Sequence, residues 1–312
     1  MGAVVNSASI VIVTQNRYDD LVVTAESLRD VDTSLFDFVE LVIVDNGSTD
    51  NTHKARDWGF SNFIYKYIYE PVPGKCGALN IGIAASKGDI LVFTDDDVRF
   101  ESDWLQELTF SIRENTTDAC VGEIIIASCL ERAWMTNLHR ACLAETVWID
   151  KYNPKYMIGA NMAFKRIILD IIPGFDVDTG PGKLGFGDDT LLSLQLIEAG
   201  FRIQFCESAV VEHHFQVDRL LHKSWLKRAY NAGMTQAYID YNWFHKDYAG
   251  KKILFEYLRM KLRSIRQGWR VNTREGISES EFYYYHNKGY RNYFNTNRNV
   301  SRKYDYKGLV KK

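Results

Sequence analysis

Four short runs of aliphatic and β-branched residues recur through the first third of the chain, separated by segments long enough to hold a helix. They are SIVIVT at 9–14, FVELVIVD at 38–45, FIYKYIY at 63–69 and DILVFT at 89–94. Branched side chains suit a pleated, covered surface. Apolar runs of this length, bounded by turn residues, are the pattern of buried strands, and FIYKYIY alternates like a strand. Between them, 18–30 carries Leu21, Ala25 and Leu28 at helical spacing, 50–59 opens on Asp50 or Asn51 as an N-cap, and 76–87 is a helix of small residues. Parallel strands need a crossover between them, so this alternation predicts a doubly wound α/β sheet. Ligands in such sheets bind at the carboxyl ends of the strands.

Two of those ends are acidic. The run at 89–94 leads straight into Asp95, Asp96 and Asp97, and the run at 38–45 ends on Asp45. Three adjacent carboxylates repel, and burying them without partners is costly. An oxygen-only ligand set favours a hard divalent cation, whereas a helix cap or a solvated turn is the plainer use of the same residues. Asp96 is expected to point away from its two neighbours and to tolerate change best. A second acidic pair, Asp188 and Asp189, follows the loop TGPGKLGFG and precedes a helix expected from 190 to 199. The positive end of that helix would favour their ionisation. Four glycines and a proline in the loop suggest that the backbone approaches something closely. His213 and His214 close a late strand, and alternation lets only one of them face a site.

Beyond 100 the periodicity predicts a helix at 104–113, a strand at 119–127, a helix at 132–148, a strand at 157–165 and a strand within 201–211. After about 219 strand signals stop. Residues 251–274 hold eight Lys or Arg against one Glu, with Leu254, Leu258, Leu262 and Ile265 on one helical face. A solvated face on a packed helix is the plainer reading, and contact with anionic lipid or a charged acceptor is the sharper one. The 312 residues carry a formal net charge of −2 and 46% hydrophobic content, which fits a globular chain and argues against one that coats nucleic acid. Five scattered cysteines without a C-x-x-C pair read as reduced thiols in an intracellular protein. The opening residues make a poor signal peptide, and no stretch is apolar enough to span a membrane. The expected location is therefore cytoplasmic, with a peripheral position at the inner face of the membrane if 251–274 binds lipid.

Taken in order, SIVIVTQNR, LVIVDNGSTDNT, GKCGALNIGIAASKGDILVFTDDD, GFGDDTLLSLQLIEAG and VVEHHFQVDRL followed by WLKRAYNAG resemble the family 2 glycosyltransferases with the GT-A fold. The resemblance covers residues 9 to about 232. It implies a GT-A type doubly wound, mixed and mostly parallel sheet flanked by helices, with a helical C-terminal extension. The implied boundaries are a catalytic domain at 1–218, with a nucleotide-sugar half at 1–100 and an acceptor half at 101–218, and the extension at 219–312. It also implies an inverting transfer of a sugar from a nucleoside diphosphate, UDP foremost, to an acceptor hydroxyl on a glycan or a lipid-linked molecule. By the same resemblance Thr14 and Asp45 hold the base and ribose, flanked by Asn16 and Arg17. Lys75 and Asn80 line the nucleotide and its phosphates. Asp95 and Asp96 reach the nucleotide sugar, and Asp97 with Asp95 and His213 holds Mn²⁺ or Mg²⁺, with His214 as the fallback. Asp189 is the implied base. Asp188 supports it and stands where the family more often has Glu. Trp134, His139, Trp148 and Asn161 are candidates for the acceptor pocket, although core packing is the commoner fate of such residues.

Rival readings are weaker. A sugar nucleotidyltransferase would want a glycine-rich basic loop after the first strand, where QNRYDD stands. A dinucleotide-binding dehydrogenase would want G-x-G-x-x-G there. A non-catalytic nucleotide-sugar scaffold would not need the carboxylate at 189.

Overall fold

The computed structural model describes residues 6–247, Arg259 and 275–312. The basic segment 251–274 lies outside the described residues apart from Arg259. The four early runs form β1 (Ser7–Thr14), β2 (Phe38–Asp45), β3 (Ile64–Tyr69) and β4 (Ile90–Thr94). Helices α1 (Tyr18–Leu28) and α2 (Lys75–Ala85) and a 3-10 turn at Asn51–Asp57 connect them. Asp50 caps that turn by accepting from the Thr52 N–H, but its short span keeps it from the α-helix expected over 50–59. After β4 come β5 (Val98–Phe100), α3 (Trp104–Arg113), β6 (Ala119–Ile126), α4 (Asn137–Cys142) and β7 (Asn161–Lys165). They are followed by α5 (Asp188–Glu198), β8 (Ile203–His213), α6 (His222–Asn242) and α7 (Glu279–Asn297).

The strands make one mixed sheet in the order β3-β2-β1-β4-β7-β6-β8-β5. The pairs β3–β2, β2–β1, β1–β4 and β6–β8 are parallel, and β4–β7, β7–β6 and β8–β5 are antiparallel. Ile10 and Ile12 face one hydrophobic cluster and Val11 the other, all fully buried, so both faces of β1 are covered as the unbroken apolar run requires. The chain leaves β1 toward β2 on one side and reaches β4 on the other. That reversal opens a crevice between the loops after β1 and β4.

Two expectations need correction. The helical periodicity over 132–148 yields only α4, because Ala144 turns left-handed at φ 72° and ends any continuation. The strand expected from 157 starts at Asn161, where pairing with β4 begins.

The C-terminal helices cross tightly. A Cβ on Gly233 of α6 would fall 1.8 Å from the His286 carbonyl oxygen, and one on Gly289 of α7 would fall 2.0 Å from that of Tyr230. Backbone meets backbone there, so no side chain can give way. Gly233→Ala is therefore expected to force the helices apart, lower the melting temperature by roughly 5–10 °C and open α7 to protease. A melting curve and cleavage map matching the wild type would refute this crossing.

Candidate active site

A cavity of about 440 Å³ lies at the carboxyl ends of β1 and β4. Val13, Thr14, Gln15, Arg17 and Asn46 line it, together with Asp188, Asp189, Phe186 and Arg228. Lys75, Asp95, Asp96 and Arg219 lie among its remaining walls. The three consecutive aspartates are neutralised by different partners. Lys75 Nζ meets Asp95 Oδ1 at 2.5 Å. Arg17 Nη1 donates to Asp96 Oδ1 and to Asp97 Oδ2, both at 2.8 Å. Asp96 thus shares a guanidinium with Asp97 and does not point away. β4 ends at Thr94, so the two-residue alternation of a strand no longer governs the aspartates. Burial pushes Asp96 up to about 6 even so.

Asp97 is brought to His213 by the edge of the sheet. In the antiparallel β5–β8 ladder Val98 stands opposite His213, and the His214 N–H donates to the Asp97 carbonyl at 2.7 Å. His213 Nε2 lies 3.2 Å from Asp97 Oδ1, and both side chains are 1% exposed. Burial opposes ionisation of Asp97, but His213, Arg17 and Arg219 outweigh it and hold the carboxyl well below its usual range. His213 Nδ1 sits 2.8 Å from the Leu143 carbonyl, which can only accept. Nδ1 therefore carries a proton, and Nε2 is the ring nitrogen turned to Asp97. Asp97 Oδ1 is buried without a hydrogen bond.

A carboxylate oxygen and an imidazole nitrogen at that separation can flank a cation, since adjacent ligands of an octahedral ion with bonds of ~2.1 Å stand roughly 3 Å apart. One ligand atom each from Asp95, Asp97 and His213 lies within 4.8 Å of the others. The residues present thus fit a divalent ion, and an imidazole beside two carboxylates suits Mn²⁺ as well as Mg²⁺. His214 turns its ring toward Glu212 at 3.1 Å instead.

Asp189 also lines the cavity, from the first turn of α5. Its Oδ2 accepts from the Gly159 N–H at 3.1 Å. Burial first, and the adjacent Asp188 second, push its carboxyl up to about 7. Asp188 is 9% exposed and is also raised, chiefly by burial. Desolvation outweighs the helix-terminus effect that would have kept both ionised. Lys75 lies between the two acidic groups and is held charged by Asp95, Asp188 and Asp189 against the cost of its burial. Its backbone N–H donates to the Pro181 carbonyl at 3.1 Å, tying the glycine-rich loop to the start of α2.

Other expected site residues lie elsewhere. Asp45 is 1% exposed and accepts from the Ser48 N–H and the Tyr67 hydroxyl. Asn16 joins the loops after β1 and β2 by accepting from the Thr49 N–H at 2.7 Å. Asn80 clasps the backbone of Phe175 from both sides. None of the three lines the cavity. The four acceptor-pocket candidates are also outside it. Asn161 accepts from Trp104 Nε1 in the core, His139 packs between Trp134 and Trp225, and Trp148 rests on Tyr156 at the surface. Their aromatic or amide groups satisfy one another or the backbone, which isolated positions in the sequence do not reveal.

Reasoning from sequence missed Arg219 and Arg228, which enter the cavity from the segment after β8 and from α6. It also missed Gly159, whose N–H holds the candidate base. The repeated basic residues in VDRL and WLKRAY were the only signal for the arginines.

Comparison with known proteins places this architecture. A solved mannosyltransferase from Pyrobaculum calidifontis, PcManGT in complex with GDP-Man and Mn²⁺, superposes with a TM-score of 0.56 over 94% of this chain and 75% of that one, at 18% identity. GalNAc-T7 with UDP, GalNAc and Mn²⁺ superposes with a TM-score of 0.52 over 74% of this chain and 51% of that one, at 16% identity. An N-acetylglucosaminyltransferase of Azorhizobium caulinodans is 26% identical over 55% of this chain, but the match spans only 46% of that protein. A glucosyl-dolichyl phosphate glucuronosyltransferase of Haloferax volcanii is 24% identical over 77% of this chain and 82% of its own length. No helix among the described residues is long and apolar enough to cross a membrane. Residues 9–173, more than half of the chain, match the family described as Glycosyl transferase family 2, and the chain belongs to that family.

Proposed function

We propose that the protein transfers a sugar from a nucleoside diphosphate to an acceptor hydroxyl, with inversion at the anomeric carbon. The observation that carries this reading is one cavity whose wall holds both Asp95 of a metal-fitting triad and Asp189, whose carboxyl is pushed up to about 7. Asp95, Asp97 and His213 would hold the ion, which when bound supplies Lewis-acid stabilisation to the departing diphosphate. Lys75 and Arg17 bring further positive charge to the cavity, where negative charge grows as the glycosidic bond breaks. Asp189 Oδ1 or Oδ2 takes the proton of the acceptor hydroxyl as that oxygen attacks the anomeric carbon. Its raised pKa suits a base working near neutrality. One displacement with one base inverts the centre, unlike the paired carboxylates of retaining hydrolysis. The glycine-rich loop at 179–187 flanks the site and is placed to exclude water, whose attack would waste the donor. UDP is the first carrier to test, with GDP and TDP sugars beside it.

The test is nucleotide release in a donor screen with Mn²⁺. Release should vanish on chelation with EDTA and return when Mn²⁺ is restored, with Mg²⁺ as the parallel arm. Tight donor binding with no release for any acceptor, including those in a crude extract, would favour a scaffold instead.

A further inference from the structure

Three of the four cationic side chains in the cavity wall stand against a carboxylate, and one does not. Lys75 faces Asp95, and Arg17 faces Asp96 and Asp97. Arg219 stands 3.7 Å from Asp97. Arg228 has no carboxylate in ion-pairing reach among the described residues. It donates through Nη1 to the Cys142 carbonyl, and its guanidinium carbon lies 5.2 Å from the Trp225 ring and 5.9 Å from the Phe186 ring.

We propose that Arg228, with Arg219 beside it, forms a subsite for a phosphate group on the acceptor, so that the acceptor is a phosphate-bearing molecule rather than a neutral glycan. This rests on the glycosyl-transfer reading above and names the substrate class of the same site. The position of Arg228 supports it. Arg228, Asn231 and Thr235 lie on one face of α6, at i, i+3 and i+7. Asn231 and Thr235 press on the glycine-rich loop, where a Cβ on Gly185 would fall 2.6 Å from Asn231 Nδ2 and one on Gly187 2.3 Å from Thr235 Cγ2. That clamp sets Arg228 over Phe186, immediately before the Gly187–Asp189 turn that carries the base.

Electrostatics point the same way. Burial, and then repulsion from Arg219, bring the Arg228 guanidinium down to about 9. A buried guanidinium that is weakened by a neighbouring guanidinium is relieved by an anion beside it. A planar fork binds phosphate oxygens in pairs, and a group of more than one negative charge matches two arginines better than a carboxylate does. The diphosphate of the donor already has Lys75, Arg17 and the metal-fitting triad, which leaves Arg228 for the acceptor.

The experiment uses the full chain saturated with Mn²⁺ and whichever of UDP, GDP or TDP binds best. Inorganic phosphate is then titrated in while the melting temperature is followed. At about ten times its dissociation constant, phosphate should raise the wild-type melting temperature by roughly 2–4 °C. The rise should disappear in Arg228→Met. Arg228→Lys should weaken phosphate about tenfold, because it keeps the charge but loses the fork. Calorimetry on both variants should show nucleoside diphosphate affinity within about threefold of wild type, which also shows that they are folded. No phosphate effect on the wild type would overturn the subsite. A loss of ten times or more in nucleoside diphosphate affinity would overturn it too, by assigning Arg228 to the donor. Failure of every nucleoside diphosphate to bind would strike the transfer reading itself, and the separate phosphate titration tells the two failures apart.

Discussion

Asp189→Asn is expected to cut turnover by a factor of roughly 10²–10⁴ while raising the melting temperature, two effects of one buried carboxylate. The loss of rate is that of a general base replaced by an amide of the same shape. The gain in stability comes from the same desolvation that tunes the base. Burial and Asp188 push the native carboxyl up to about 7, against about 3.9 for an unfolded Asp. Because the folded value is the higher one, the unfolded chain releases its proton first as pH rises. Wild-type stability therefore falls relative to the Asn variant between about pH 4 and pH 7, and the gap is constant above that window. Discounted for water in the open cavity, the gain is about 1–2 kcal/mol, or roughly 2–6 °C. Wild-type kcat/KM should rise with pH up to about 7 and then level off, as the free enzyme loses the proton from Asp189. Scanning calorimetry at pH 4 and pH 8 checks the stability claim. Equal melting temperatures for both proteins at pH 8 would show that burial does not hold Asp189 strained, and the assignment of the base would lose its physical ground.

The parts of this molecule that were legible in the sequence are those written in local pattern. β1, β2 and β4 were visible because strands covered on both faces must be apolar throughout, and β3, at the sheet edge, because its residues alternate; only their ends shift by a residue or two. The acidic groups of the site were visible because clusters such as DDD and GDD have few cheap uses in a buried place. What stayed hidden depends on contacts across the sheet. β5 is three residues long and exists through its ladder with β8, yet it is what sets Asp97 against His213. The proton on His213 Nδ1 follows from the Leu143 carbonyl, far away in the chain. Asp96 was misplaced because alternation was carried past the end of β4, when Arg17 gathers both carboxylates to itself. Arg228 looked like one more basic residue on an amphipathic helix. Only the clamp of α6 on the glycine-rich loop turns it into the cavity.

Asp97→Ala should fail in both respects, and the contrast with Asp189→Asn separates a tuned group from a supporting one. Removing Asp97 takes one of three ligands from the metal-fitting cluster, so Mn²⁺ affinity in calorimetry should fall by at least a factor of about 100 and turnover by a factor on the order of 10³. It also strands positive charge. Arg17 loses one of its two carboxylates, Arg219 loses the only one at ion-pairing distance among the described residues, and His213 loses the group it faces. Breaking a buried pair costs about 3–5 kcal/mol, and the share of Arg17 that Asp96 retains reduces the expected deficit to about 2–4 kcal/mol. Its pH dependence has the opposite sense to that of Asp189. The native Asp97 carboxyl lies below the unfolded value, so its stabilisation is fully present above about pH 4 and is lost only as pH falls toward the lower native value. The deficit of the Ala variant should therefore be the same at pH 6 and pH 8 and narrow only in acid. Asp97→Asn should recover part of the stability, by returning a hydrogen-bond acceptor to Arg17, but little of the metal affinity. An Asp97→Ala protein that still held Mn²⁺ as tightly as wild type would mean that the ion is bound elsewhere and that the triad at the end of β4 serves only to fasten β5 to β8.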